Sequence, residues 1–208
     1  MGIGVDQNGD FISKARQSAS GRIPGNRCEF RDADVQELTF ESDAFGLAIC
    51  LGSTHAFGSG DLAYPNALRE LGRVVRPGGL LLIGEGYWKQ EPAREYLELI
   101  GEPVGIYHDH AANISYAEQE GLVPILALTS NEDEWDEFEW SHQRKIELEA
   151  VLHPGDTTLM TKQARRRDWM RGYLQWGRST MGFGFYLFQK PSEGQNSPTM
   201  DKPDHAPS

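Results

Sequence analysis

"ALRELGRVVRPGGLLLIGEGYW", residues 67–88, decides how the rest of the chain is read. Across residues 62–75, Ala67, Leu68, Leu71, Val74 and Val75 recur at helical spacing, which predicts an amphipathic helix. Pro77-Gly78-Gly79 breaks it, because proline lacks the N–H of a helical ladder and glycine turns freely. The run "LLLIGE" that follows is apolar without alternation, as suits a strand covered on both faces. Just upstream, "FGLAICLG" (45–52) is a second such run, separated from the helix by the Gly/Ser loop "GSTHAFGSG". Two buried strands joined by a helix make a right-handed crossover unit, and this predicts a doubly wound, mostly parallel α/β sheet.

The flanking segments continue the alternation. "GIGVD" (2–6) reads as a strand and residues 8–19 as a helix that buries Phe11, Ile12 and Ala15; "RCEFRDAD" (27–34) supplies another strand. Downstream, "EPAREYLELIG" (91–101) is a helix with Pro92 in its first turn, and 104–122 is less regular, with room for a short helix. "LVPILALTS" (122–130) and "GFGFYLFQK" (182–190) are strands, both candidates for the far edge of the sheet. Between them lie an acidic helix, 132–152, and a basic, Trp-containing one, 157–177. Residues 1–190 are expected to form one domain, and 191–208, rich in Pro, Ser, Asp and Gly, a disordered tail.

A chain of 208 residues suffices for one sizeable core. Its formal net charge of −11 opposes nucleic acid and anionic membrane surfaces as partners, since both would be repelled over most of the protein. Cys28 and Cys50 both lie in apolar, strand-like runs, which points away from a disulfide framework and toward a reducing compartment. The longest apolar run is far short of the roughly 20 residues of a spanning helix. A cytoplasmic location is the expectation.

"DVQELTFESDAFGLAICLGSTHAF" (34–57), followed by "ALRELGRVVRPGGLLLIGEGYW", resembles the class I S-adenosylmethionine-dependent methyltransferases. The resemblance covers residues 2–101 and is most specific at Leu71, Arg73, Val74, Val75, Pro77, Gly78 and Gly79. It implies a Rossmann-like sheet, S-adenosyl-L-methionine as cofactor and methyl transfer to a small-molecule substrate. Carried over by position, Asp6 is the acid that takes both ribose hydroxyls, and Asp34 receives the adenine amino group with Val35 packed on the ring. Cys50, Leu51 and Gly52 end the strand beneath the sulfonium, with Ser53, Thr54 and His55 toward the substrate. Glu85, Tyr87 and Trp88 line the acceptor pocket, and His55, Glu85 and Tyr87 are the catalytic candidates.

The chain departs from the family pattern in two places. Gly46 stands where an acid commonly follows Phe45, and the glycine-rich first motif is absent: only five residues precede Asp6. In the family that motif follows the central strand of the sheet, so the expectation is a sheet lacking its first strand, in a chain that is N-terminally truncated. The alternative is a catalytically inactive remnant that acts as a binding or interaction protein.

Blander readings compete at several residues. Asp6 can be a helix cap, Asp34 a turn acid, and Asp32 competes with Asp34 for the adenine role. His55 can be a general base or a loop residue packed beside Phe57. His108 and His110 lack a third ligand of clear placement, and no metal site is expected. Trp169, Tyr173 and Trp176 share a helical face flanked by arginines; an amphipathic helix whose aromatic face packs on the sheet or caps the pocket, its arginines matched by the acidic helix, outweighs a nucleic-acid stacking platform. The resemblance implies that the helical segment over about 131–178 is a cap on the acceptor pocket.

Overall fold

The computed structural model describes residues 1–25, 27–37 and 39–192; the expected tail lies outside these from residue 193 onward. The chain begins with β1 (Gly2–Asp6), α1 (Gly9–Ala19) and β2 (Cys28–Asp32). Asn8 caps α1 by accepting the Asp10 and Phe11 amides. β1 and β2 pair in parallel as a two-stranded sheet.

A four-stranded sheet follows, built from β3 (Phe45–Leu51), β4 (Val75–Trp88), β5 (Val123–Thr129) and β6 (Met181–Gln189) in the order β3-β4-β6-β5. β3 and β4 are parallel and joined through α2 (Ala63–Val74), whereas β6 runs antiparallel to both its neighbours. This reversal follows from the chain between β5 and β6. α5 (Glu132–Leu152) and α6 (Thr157–Gly172) form a helical pair, and two helices return the chain to the end of the sheet it left. β5 is therefore the far edge, and β6 lies inside the sheet.

The "RPGG" segment does not separate helix from strand. β4 starts at Val75, and the segment is absorbed as a register shift between the Phe45↔Val75 and Leu47↔Leu80 pairs. Gly78 takes φ +76, and a Cβ on Gly79 would lie 2.5 Å from Val75 and 2.8 Å from the Arg76 carbonyl, so the kink needs both glycines. Arg73 at the end of α2 ties the loop entering β3 to the helix: it donates to the Phe40 carbonyl at 2.8 Å while pairing with Glu70.

One face of the larger sheet carries the core. Tyr64 and Leu68 of α2, and Ala117 of α4 (His110–Gln119), pack there on Val75, Leu81, Ile83, Tyr186 and Phe188. The other face is only half-buried on the central strands β4 and β6, where Trp135 of α5 stacks on Phe183, and it is bare at the edge strand β3, contrary to the two-sided burial expected from the apolar runs. Leu47, Ile49 and Leu51 of β3 are 50%, 58% and 47% exposed. Among the described residues no ladder joins β1 to β3, so two strand edges border an unpaired seam. Phe11, expected inside, is 56% exposed, because a two-stranded sheet is too narrow to cover both it and the buried Ile12. Pro92 also lies outside its helix, which is α3 (Arg94–Ile100).

The helices between β5 and β6 hold each other through charge. α5 opens with a capping box between Asn131 and Glu134. Its Glu139, 6% exposed at the side chain, accepts from Arg166 at 2.6 Å and from the Trp169 indole N–H at 2.8 Å. Tyr173 and Arg178 both donate to Asp136. Trp169 of α6 and Tyr173 just beyond it thus bond to carboxylates of α5, whereas their face was expected on the sheet or over the pocket; the pairing of arginines with the acidic helix is as expected. No helix among the described residues is long and apolar enough to cross a membrane.

Candidate active site

The direction in which the chain is wound reverses at the seam: β1 leads away to β2 on one side, β3 to β4 on the other. In open α/β sheets ligands bind at such a point, beyond the carboxyl ends of the strands. A cavity of about 180 Å³ lies there. The tip of β1 supplies Asp6 and Gln7, the turn after β2 supplies Asp34 and Val35, and the turn after β3 supplies Ser53 and His55. Asp6 Oδ1 accepts the Asn8 amide at 2.8 Å and Asp34 Oδ1 the Gln36 amide at 2.9 Å, which fixes both carboxylates while Oδ2 of each accepts no hydrogen bond among the described residues. Asp6 thereby supports the start of α1 and faces the cavity at once. Asp32 is turned away, its Oδ2 lying against Gly9.

A larger cavity, about 570 Å³, adjoins the first, and His55 stands in the wall of both. Leu51, Gly52 and Thr54 form its β3 side, Tyr64 comes from α2, and Glu85 and Gly86 from β4. The N-terminal turns of α5 bring Trp135 and Phe138, and β6 brings Phe183 and Phe185. Rings continue along that wall: Trp135 stacks between Phe138 (5.7 Å) and Phe183 (6.2 Å), and Phe183 meets Phe185 edge-on at 5.2 Å. Gly52 ends β3 at φ +65, a conformation side-chain-bearing residues rarely adopt, and its amide donates to the Gly84 carbonyl at 2.8 Å.

Glu85 is the most perturbed acid of the site. It is 7% exposed; one carboxylate oxygen accepts the Thr54 hydroxyl and the other the Gly86 amide at 3.1 Å. Burial raises its pKa to about 7, and the two hydrogen bonds only partly oppose that. No cation pairs with it among the described residues.

Three of the sequence candidates, Cys50, Tyr87 and Trp88, stand away from the cavities. Cys50 shares a strand face with Ala48, which packs on the core; its thiol is buried, pushed up to about 11 by that burial, and lines neither cavity. Tyr87 is two residues past Glu85, but its ring lies over Gly182 and against His110, 5.2 Å between centroids, outside both cavities. Trp88 likewise turns inward and donates to the Val104 carbonyl. His110 bonds the Tyr186 hydroxyl at 3.0 Å, and among the described residues no cluster of three His, Cys, Asp or Glu is placed to hold a metal. The aromatic wall went unread in the sequence, although "GFGF" at 182–185 carried its signal: alternate glycines leave two phenylalanines on one face of a strand.

Residues 2–83 match the family model described as a methyltransferase domain. A SAM-dependent methyltransferase from Geobacter sulfurreducens, solved with S-adenosyl-L-homocysteine, superposes with a TM-score of 0.77 at 22% identity, over 91% of this chain and 75% of that one. The chain has the fold of the class I S-adenosylmethionine-dependent methyltransferases. An enzyme described in the same terms from Thiobacillus denitrificans, also solved with S-adenosyl-L-homocysteine, gives 0.75 at 18% identity over 91% and 75% of the two chains. In sequence the methyltransferase-fold chain is 25% identical over 197 residues to the uncharacterized protein YjhP of Escherichia coli K12, 89% of this chain and 73% of that one. The X-ray structure of YjhP superposes at a TM-score of 0.76, with 22% identity over 91% and 76%.

Proposed function

We propose that the chain binds S-adenosyl-L-methionine at the tips of β1, β2 and β3 and transfers its methyl group to a small molecule held in the larger cavity. The observation that carries this is the pair of adjoining cavities with His55 in both walls: one faced by two fixed carboxylates, the other apolar and aromatic. Supporting it, the Geobacter and Thiobacillus proteins of the same fold were solved with the demethylated cofactor. The donor chemistry fits the adenosyl group, since a ribose diol and an exocyclic amine are donors and Asp6 and Asp34 are acceptors. Val35 offers an apolar surface beside Asp34, and Gly52 a backbone free of a side chain.

The bound cofactor would supply an electrophilic methyl group. The protein's task is then to hold the acceptor against it, which needs no covalent intermediate. His55, between the two cavities, and Glu85, in the acceptor cavity, are the groups placed to take up a proton.

The unpaired seam favours a second reading, an inactive remnant that no longer holds the cofactor and acts as a binding or interaction protein, because the cofactor cavity borders an edge with no strand across it. Amide chemical shifts recorded during a titration with S-adenosyl-L-homocysteine separate the two. The enzyme reading expects saturable shifts at Asp6, Asp34, Val35 and Gly52; shifts confined elsewhere, or none, support the remnant.

A further inference from the structure

The charges around the larger cavity are one-sided. Its titratable walls hold two carboxylates, Glu85 and Glu134, with His55 and the hydroxyls of Tyr64 and Tyr107; among the described residues no Lys or Arg lines it. Glu134 Oε2 is taken by the Asn131 amide at 3.0 Å, which leaves Glu85 as the buried anion without a counter-ion. The same cavity is lined, from the sheet face opposite to Glu85, by the stack of Phe138, Trp135, Phe183 and Phe185, whose ring faces are electronegative. An anionic molecule would enter against Glu85 with nothing to pair its charge. A cation gains both from the carboxylate and from the rings.

We propose that this cavity takes an amine on an apolar or aromatic frame, and that Glu85 accepts the proton the amine must lose to act as nucleophile. This rests on the acceptor role given to the cavity above. The step balances as a proton transfer: the ammonium N–H proton moves to a Glu85 carboxylate oxygen, cation and anion become a neutral pair, and the nitrogen keeps its lone pair. Thr54 and the Gly86 amide hold the carboxylate in place while this happens. Tyr107, lying over Gly86, closes the same wall: a Cβ on Gly86 would sit 2.6 Å from its ring.

Three probes of one size test it: benzylamine, benzyl alcohol and benzoate, each titrated calorimetrically into the chain at about pH 8, where Glu85 is mostly ionised. The expected result is benzylamine binding about tenfold tighter than benzyl alcohol, as a desolvated cation over aromatic rings and a carboxylate allows, with benzoate weakest. Glu85→Gln is expected to cut the preference for the cation to the small part that the rings supply. Trp135→Leu, which leaves the acid untouched, is expected to narrow it severalfold. Equal binding of all three probes, or preference for benzoate, overturns the proposal, as does a preference undiminished in Glu85→Gln. A parallel titration with S-adenosyl-L-homocysteine tells this failure from failure of the methyltransferase reading, which would show as absent cofactor binding whatever the probes do.

Discussion

Glu85 makes a chemical claim that can be checked through stability alone. Its pKa, raised by burial from 4.5 to about 7, means that the folded chain favours the protonated acid. That stabilisation is fully present below the unfolded value and is lost as pH rises through about 7. Cys50, Tyr64, Tyr107 and Tyr186, which surround the acid, all titrate above their usual ranges because burial opposes their ionisation, and they stay neutral through this window. Urea denaturation across pH 4 to 8 is therefore expected to show the native protein losing about 3 kcal/mol relative to Glu85→Gln. Parallel curves would show that Glu85 is not held in a desolvated site. The placement of Asp6 and Asp34 at one end of the sheet, beside the smaller cavity, was legible in the sequence because a strand tip followed by a turn confines where an acid can point. Cys50 and Tyr87 were less so: strand alternation decides their direction, and the pattern shows which residues share a face but not which face meets the cavity.

The larger sheet has two unlike faces. Leu81 is completely buried on the side packed by α2 and α4, whereas Ile49 is 58% exposed on the other. Leu81→Ala is expected to cost about 2–5 kcal/mol, and Ile49→Ser less than about 1 kcal/mol, in chemical denaturation. Similar costs would mean that something covers the bare face. Sequence pattern did not reveal this asymmetry, because "FGLAICLG" and "LLLIGE" are apolar at every position whether or not a layer packs on each side. The helix pair α5–α6 was readable in extent and in its charge matching, and it predicts a large effect at one position. Arg166→Met leaves the buried Glu139 without its ion pair and is expected to cost about 3–5 kcal/mol in the same assay, against under about 1 kcal/mol for Arg94→Met, an exposed pair on α3.

The two sheets together leave a seam bordered by β1 and β3, with apolar side chains exposed beside it. A strand laid into it would find backbone partners on both sides and cover part of the bare surface. Fusing an apolar strand and a glycine-rich loop ahead of Met1 is accordingly expected to raise Tm by about 2–8 °C in calorimetry, as burial worth about 1–2 kcal/mol would in a chain of this size. An unchanged Tm would mean that the seam does not accept a strand.

The cofactor site borders that seam, and whether it binds is the central question. Calorimetric titration of the chain with S-adenosyl-L-homocysteine answers it most directly, with Asp6→Ala as the comparison. The expected result is saturable one-to-one binding that Asp6→Ala weakens by about 1–3 kcal/mol, the scale of hydrogen bonds to a charged group. Absence of binding, or an affinity indifferent to Asp6, would contradict the assignment of the cofactor to the tips of β1, β2 and β3.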